Sequence, residues 1–144
     1  MARVKIKFPD EKPLFVAVIP VRIGDINYGG HVGNDSILSI IHEARMQWLG
    51  SHGHTELKAA GNALIMADVM IAYKGEAFYG ETLHVALYAE EITKVSFDLL
   101  YRLYKQSGTD IKEIAHAKTG MVCFDYDTRK VDDIKAGLMK LLKD

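Results

Sequence analysis

The sequence is short of most features that would commit it to a special class. It has one cysteine, Cys123, so no internal disulfide is possible, and a single buried-type thiol fits a reducing compartment. Lys/Arg and Asp/Glu are almost balanced, with a formal net charge of −1, so no overall field attracts nucleic acid or an anionic membrane. No apolar run approaches a membrane span, and the start MARVKIKFPDEKPLF contains no signal-like stretch. There are three prolines, no repeat, no low-complexity segment and no linker. What remains is about half apolar in 144 residues, which predicts one folded domain over 1–144, soluble and cytoplasmic.

Residues 22–45, RIGDINYGGHVGNDSILSIIHEAR, are the informative stretch. A polar, glycine-rich loop runs directly into a segment with helical period: Ile37, Ile41, Ala44 and Trp48 follow i, i+4, i+7, i+11, and Leu38, Ile40 and Leu49 widen the apolar stripe. Asn34 or Asp35 is the expected N-cap and Gly50 the expected stop. Such a junction aims backbone N–H groups and a positive dipole end at an oxygen that becomes negative.

Around this stretch the pattern is mostly β. Residues 3–8 alternate basic and apolar, as an edge strand or arm does, and Pro20 within 14–24 predicts an edge position because proline donates nothing to a ladder. Residues 51–61 read as a loop with one helical turn. Segments 63–74, 82–92, 95–106 and 111–127 read as four strands of an antiparallel meander, with hairpin turns at Thr93-Lys94 and Ser107-Gly108-Thr109. Residues 132–144 read as a short helix weakened by Gly137. Strand, long helix and meander make an α+β arrangement; so apolar a helix needs a curved sheet around it.

Arg22, Asp25-Ile26-Asn27, Gly30-His31-Val32-Gly33-Asn34 and Ala44-Arg45 resemble the motifs of the hotdog-fold thioesterases, in the branch that includes the 4-hydroxybenzoyl-CoA thioesterases. Tyr73, the turn 78–83, Ser96-Phe97 and 115–125 follow the same rhythm. The resemblance implies a hotdog fold, a long central helix wrapped by a curved antiparallel sheet. It also implies hydrolysis of an acyl-CoA or acyl-carrier-protein thioester without a further cofactor, and a homodimer or homotetramer. Three positions depart from the family pattern. Asn27 stands where the family's second acid falls, Gly33 where the first of two asparagines falls, and His42 where the helix glutamate falls. An amide cannot serve as base or nucleophile at neutral pH, so the usual mechanism does not transfer unchanged.

By resemblance, the amides at the helix start around Gly33 to Asp35 would polarise the thioester carbonyl, and Gly30, Gly33 and Asn34 would contact substrate. Asp35 is the preferred base, with Asn27 orienting the attacking water and His31 holding the hydrogen bonds of the site. Asp25 is the second candidate base and Glu43 the third. His42, His52 and His54 lack any metal-ligand spacing, so no metal is expected. Two rival readings remain. One is an (R)-specific enoyl-CoA hydratase, since Asp25, Asn27 and His31 loosely resemble that signature, although Tyr28 replaces its proline and His31 comes one residue late. The other is a non-catalytic acyl-CoA-binding hotdog protein, suggested by Asn27.

Overall fold

The computed structural model of the protein describes residues 3–143. In chain order these form β1 (Phe15–Pro20), a 3₁₀ turn (Ile23–Asp25), α1 (Asn34–Ser51), β2 (Leu64–Tyr73), β3 (Thr82–Glu90), β4 (Ser96–Ser107), β5 (Asp110–Asp125), the short β6 (Lys130–Val131) and α2 (Ala136–Lys143). The fold class is the one expected, α+β with the long helix against one face of an antiparallel sheet.

Helix α1 forms where the apolar period predicts it. Ile37, Ile40, Ile41, Ala44, Trp48 and Leu49 are buried against the sheet together with Leu83, Val85, Leu87, Phe97, Leu99 and Leu103. Both expected ends move. Asn34 and Asp35 are already helical, and the extended residue that precedes them, Gly33 (φ −71°, ψ 154°), is the N-cap. The helix passes through exposed Gly50 to Ser51, and Gly53, with φ +78°, is the left-handed residue that turns the chain away. Leu38 belongs to the expected apolar stripe yet stays exposed. No helical turn forms between 52 and 61; instead Ala59 and Asn62 make an isolated bridge.

The sheet order is β1-β3-β4-β5-β2, every neighbouring pair antiparallel. The two hairpins β3-β4 and β4-β5 are as expected, but β2 pairs with β5 and not with β3, so the four strands are not a sequential meander. The connection 74–81 carries the chain across the end of the sheet, which leaves β1 and β2 as the two edges. Pro20 accordingly ends an edge strand. Residues 3–8 form an arm and no strand; Phe8 packs 5.4 Å from Tyr88 and 5.0 Å from His116, ring centre to ring centre.

The expected C-terminal helix is α2, which buries Leu138, Leu141 and Leu142; Asp144 of that segment lies outside the described residues. Gly137 is there for space: a methyl group on it would meet the Ala60 carbonyl oxygen at 2.7 Å.

One end of this sheet collects everything of chemical interest. The last residues of β1 and β2, the first of β3 and the start of α1 all meet there. Val21 N–H donates to Glu81 O at 2.8 Å and Val32 N–H to Ala77 O at 2.8 Å, which stitches the glycine-rich loop to the 74–81 connection.

Candidate active site at the start of the central helix

The loop before α1 is held by its own polar groups. Asp25 is buried, and its carboxylate accepts the Arg22 N–H at 2.9 Å with the Arg22 guanidinium 3.6 Å away. That carboxylate closes the 3₁₀ turn. Asn27 Oδ1 accepts the Gly29 N–H at 2.9 Å, an Asx-type turn, and Gly30 adopts φ +87° to let its own N–H reach Asn27 O at 3.1 Å. Asn27 N–H donates to His31 O at 2.9 Å, completing a tight loop whose free side-chain group is the Asn27 amide nitrogen.

His31 Nδ1 lies 3.0 Å from Val32 O. A carbonyl only accepts, so Nδ1 carries the proton of this bond, and Nε2 of the neutral ring is left as an acceptor.

At the helix start the backbone donors divide into used and open. Gly33 N–H donates to Asp25 O at 3.0 Å and Ser36 N–H to Gly33 O at 3.0 Å. The amides of Asn34 and Asp35 find no protein acceptor among the described residues. They are the open pair, so the donor set is Asn34 and Asp35, and Gly33 contributes shape in place of a hydrogen bond.

That shape is specific. A methyl group built on Gly33 would lie 2.7 Å from Asp35 Oδ1, 3.4 Å from Asn27 Cβ and 3.9 Å from Asn27 Nδ2. The Asp35 carboxylate and the Asn27 side chain therefore converge over the Gly33 backbone, immediately beside the open amides. A hollow of about 460 Å³ adjoins Asp35, lined by it together with Arg22, Gly24, Asp25, Ser36 and Ser39. A larger hollow of about 720 Å³ under the arm lies away from the start of α1, so size does not locate the site.

The sequence-derived candidates thus separate. Asn27, His31, Gly30, Gly33, Asn34 and Asp35 come together. Asp25 is adjacent, but its carboxylate faces Arg22. Glu43 is on the solvent side of α1, where it accepts from Gln47 Nε2 at 2.8 Å; it stands about 12 Å further along the helix than Asp35. Among the described residues no cluster of three or more His, Cys, Asp or Glu side chains is arranged to hold a metal.

Two features escaped the sequence reading of roles. The Tyr73 hydroxyl at the end of β2 donates to the Asn34 carbonyl at 3.2 Å, tying the edge strand to the helix start. Deeper, the buried Arg45 guanidinium donates from Nε to Glu56 Oε2 and from Nη1 to the Tyr101 hydroxyl, both at 3.1 Å. Glu56 Oε1 is 2.7 Å from His42 Nε2, and Tyr101 shares a 2.7 Å bond with Thr119. Burial pushes the Tyr101 hydroxyl above its usual range; burial opposes the Arg45 charge, but Tyr101 and Glu56 outweigh it and raise Arg45. The partners lie 11 and 56 residues from Arg45, so no local pattern announces them.

A family model described as "Thioesterase-like superfamily" matches residues 21–142. By structure, the chain is similar to a 1,4-dihydroxy-2-naphthoyl-CoA thioesterase from Synechocystis (TM-score 0.80, 22% identity, covering 90% of this chain and 96% of that one). It is similar also to a hypothetical protein from Aquifex aeolicus (0.78, 22%, 89% and 98%) and to a gentisyl-coenzyme A thioesterase (0.74, 17%, 89% and 99%). At these identities the likeness establishes the hotdog fold. No curated protein matches the sequence.

Proposed function

The chain belongs to the thioesterase-like superfamily, and on that premise we propose that it hydrolyses an acyl thioester, of coenzyme A or acyl-carrier protein, to a free acid and a thiol. The observation that carries this reading is the pair of open amides, Asn34 and Asp35, beside a carboxylate held over Gly33. No cofactor takes part; the coenzyme A thioester is itself the substrate.

The thioester oxygen sits on the two amides at the positive end of α1. Asp35 takes a proton from a water molecule positioned by the Asn27 amide, whose own oxygen is occupied by Gly29. The hydroxide oxygen bonds to the thioester carbon, and the carbonyl oxygen becomes the oxyanion that the amides stabilise. One such donor contributes about 100- to 1000-fold in rate in related chemistry. The C–S bond then breaks, and the leaving thiolate takes the proton back from Asp35. His31, its Nδ1 fixed on Val32, offers Nε2 to substrate or water at the rim.

Edge strand β2 is uncovered in one chain, and pairing of two copies through it would give a homodimer with one continuous sheet in which the β2 edges are covered and a β1 strand stands at each end; two such dimers would make the tetramer. A second reading, binding of acyl-CoA without turnover, is favoured by Asn27 in the family's acid position. Free-thiol release from acyl-CoAs of graded length separates the two. Turnover supports hydrolysis, and saturable binding with no turnover of any of them supports the binding protein.

A further inference from the structure

The two open amides belong to different peptide units, and the carbonyl of each unit is occupied. The Asn34 N–H shares its peptide with Gly33 O, which accepts the Ser36 N–H at 3.0 Å. The Asp35 N–H shares its peptide with Asn34 O, which accepts the Tyr73 hydroxyl at 3.2 Å. The first bond is part of the helix start. The second comes from a side chain 39 residues away, at the end of the edge strand β2. A helical carbonyl uses one lone pair in the ladder and keeps a second for such a donor.

The backbone around Tyr73 holds that hydroxyl in place. Tyr73 is the last residue of β2, paired with Ala115, and the next two amides, those of Lys74 and Gly75, both donate to Ile114 O, at 2.9 and 3.1 Å. A methyl group on Gly75 would stand 2.6 Å from the Glu113 carbonyl oxygen, so the chain lies against β5 more closely than a side chain there allows. The Tyr73 ring is half-exposed, and among the described residues its hydroxyl makes no hydrogen bond besides the one to Asn34 O.

We infer that Tyr73 is a positioning residue for the hydrolysis: its hydroxyl fixes the plane of the Asn34–Asp35 peptide and polarises it, which makes the Asp35 amide a stronger donor to the oxyanion. The inference rests on the thioesterase reading and adds a residue to its machinery. A peptide whose carbonyl accepts a hydrogen bond offers a better N–H, because the two bonds polarise one another in series. The gain is small while the thioester oxygen carries little charge and grows as the oxyanion forms, so it falls on kcat and not on KM. A donor worth about 100- to 1000-fold, strengthened by about 10 to 30% in free energy, changes the rate by about two- to eightfold. Tyr73 itself gives up no proton, so the pH dependence of kcat keeps its shape without it.

The test is Tyr73→Phe, which keeps the ring and removes the hydroxyl. Thiol release is followed from about pH 6 to 9 on whichever acyl-CoA of a graded series wild type turns over fastest. At every pH kcat should fall about two- to eightfold, with KM within about twofold and the melting temperature within about 2 °C of wild type. A second readout needs no turnover: the infrared carbonyl band of a bound ketone analogue of that acyl-CoA, with CH2 in place of the thioester sulfur and carbon-13 at the carbonyl, should lie at higher frequency in Tyr73→Phe than in wild type. A kcat within about 1.5-fold of wild type, a loss carried by KM, or a carbonyl band unmoved by the substitution overturns the inference while leaving hydrolysis standing. So does a loss confined to one limb of the pH profile, which would make the hydroxyl an acid or a base. Absence of turnover of every acyl-CoA by wild type overturns the thioesterase reading itself, and the inference with it.

Discussion

The Asp35 carboxylate rests directly against the backbone of Gly33: a methyl group on Gly33 would stand 2.7 Å from Asp35 Oδ1. Gly33 has φ −71°, which alanine adopts freely, and the obstructing atom is the end of a movable side chain. Gly33→Ala is expected to leave the melting temperature within about 2 °C of wild type while displacing the carboxylate and lowering kcat at least tenfold. Parallel thermal melts and thiol-release kinetics check it; retained activity would show that Asp35 is not needed where it stands.

Arg45 is 5% exposed, and its two acceptors come from elements far apart in the chain. Arg45→Met removes the charge that Glu56 and Tyr101 share. It is expected to destabilise by about 2 kcal/mol in urea unfolding, below the range of about 3 to 5 kcal/mol for a fully buried pair because Glu56 is partly exposed. Combining it with Glu56→Gln should restore part of the loss, since the second change removes the stranded carboxylate.

The fold was legible wherever a local period decides. The stripe Ile37, Ile41, Ala44 and Trp48 marks α1, and alternation marks the long strands. Pairing was not, because a period of two says which face a residue takes and nothing about which strand lies beside it. The eight-residue connection 74–81 was the available sign that β2 and β3 are not a hairpin. Exposed Leu38 misled for a related reason: the stripe shows that a side chain is apolar, but which side of α1 meets the sheet decides whether it is covered. At the site, the grouping of Asn27, His31 and Asp35 followed from proximity in sequence. Tyr73 on Asn34 and Arg45 on Tyr101 depend on register between distant segments.

Glu90 and Asp98 face each other across the β3–β4 ladder. Burial, then the neighbouring Glu91 and Asp98, hold the Glu90 carboxyl above its ordinary value of 4.5. A carboxyl raised in the folded state binds its proton more tightly there than in the unfolded chain. Its ionised form therefore costs stability at neutral pH, and that cost disappears as pH falls below the ordinary value. Glu90→Gln should raise the melting temperature by about 1 to 3 °C at pH 7 and by nothing measurable at pH 3.5. An equal gain at both pH values would contradict the assignment.

The most direct measurement of the central claim is steady-state thioester hydrolysis by Asp35→Asn, which keeps the size and the helix-start position of the side chain and removes only its basicity. If Asp35 activates the water beside the Asn34 and Asp35 amides, kcat falls at least 100-fold and KM stays within about threefold. A kcat within about threefold of wild type would contradict the account and leave the open amides without their base.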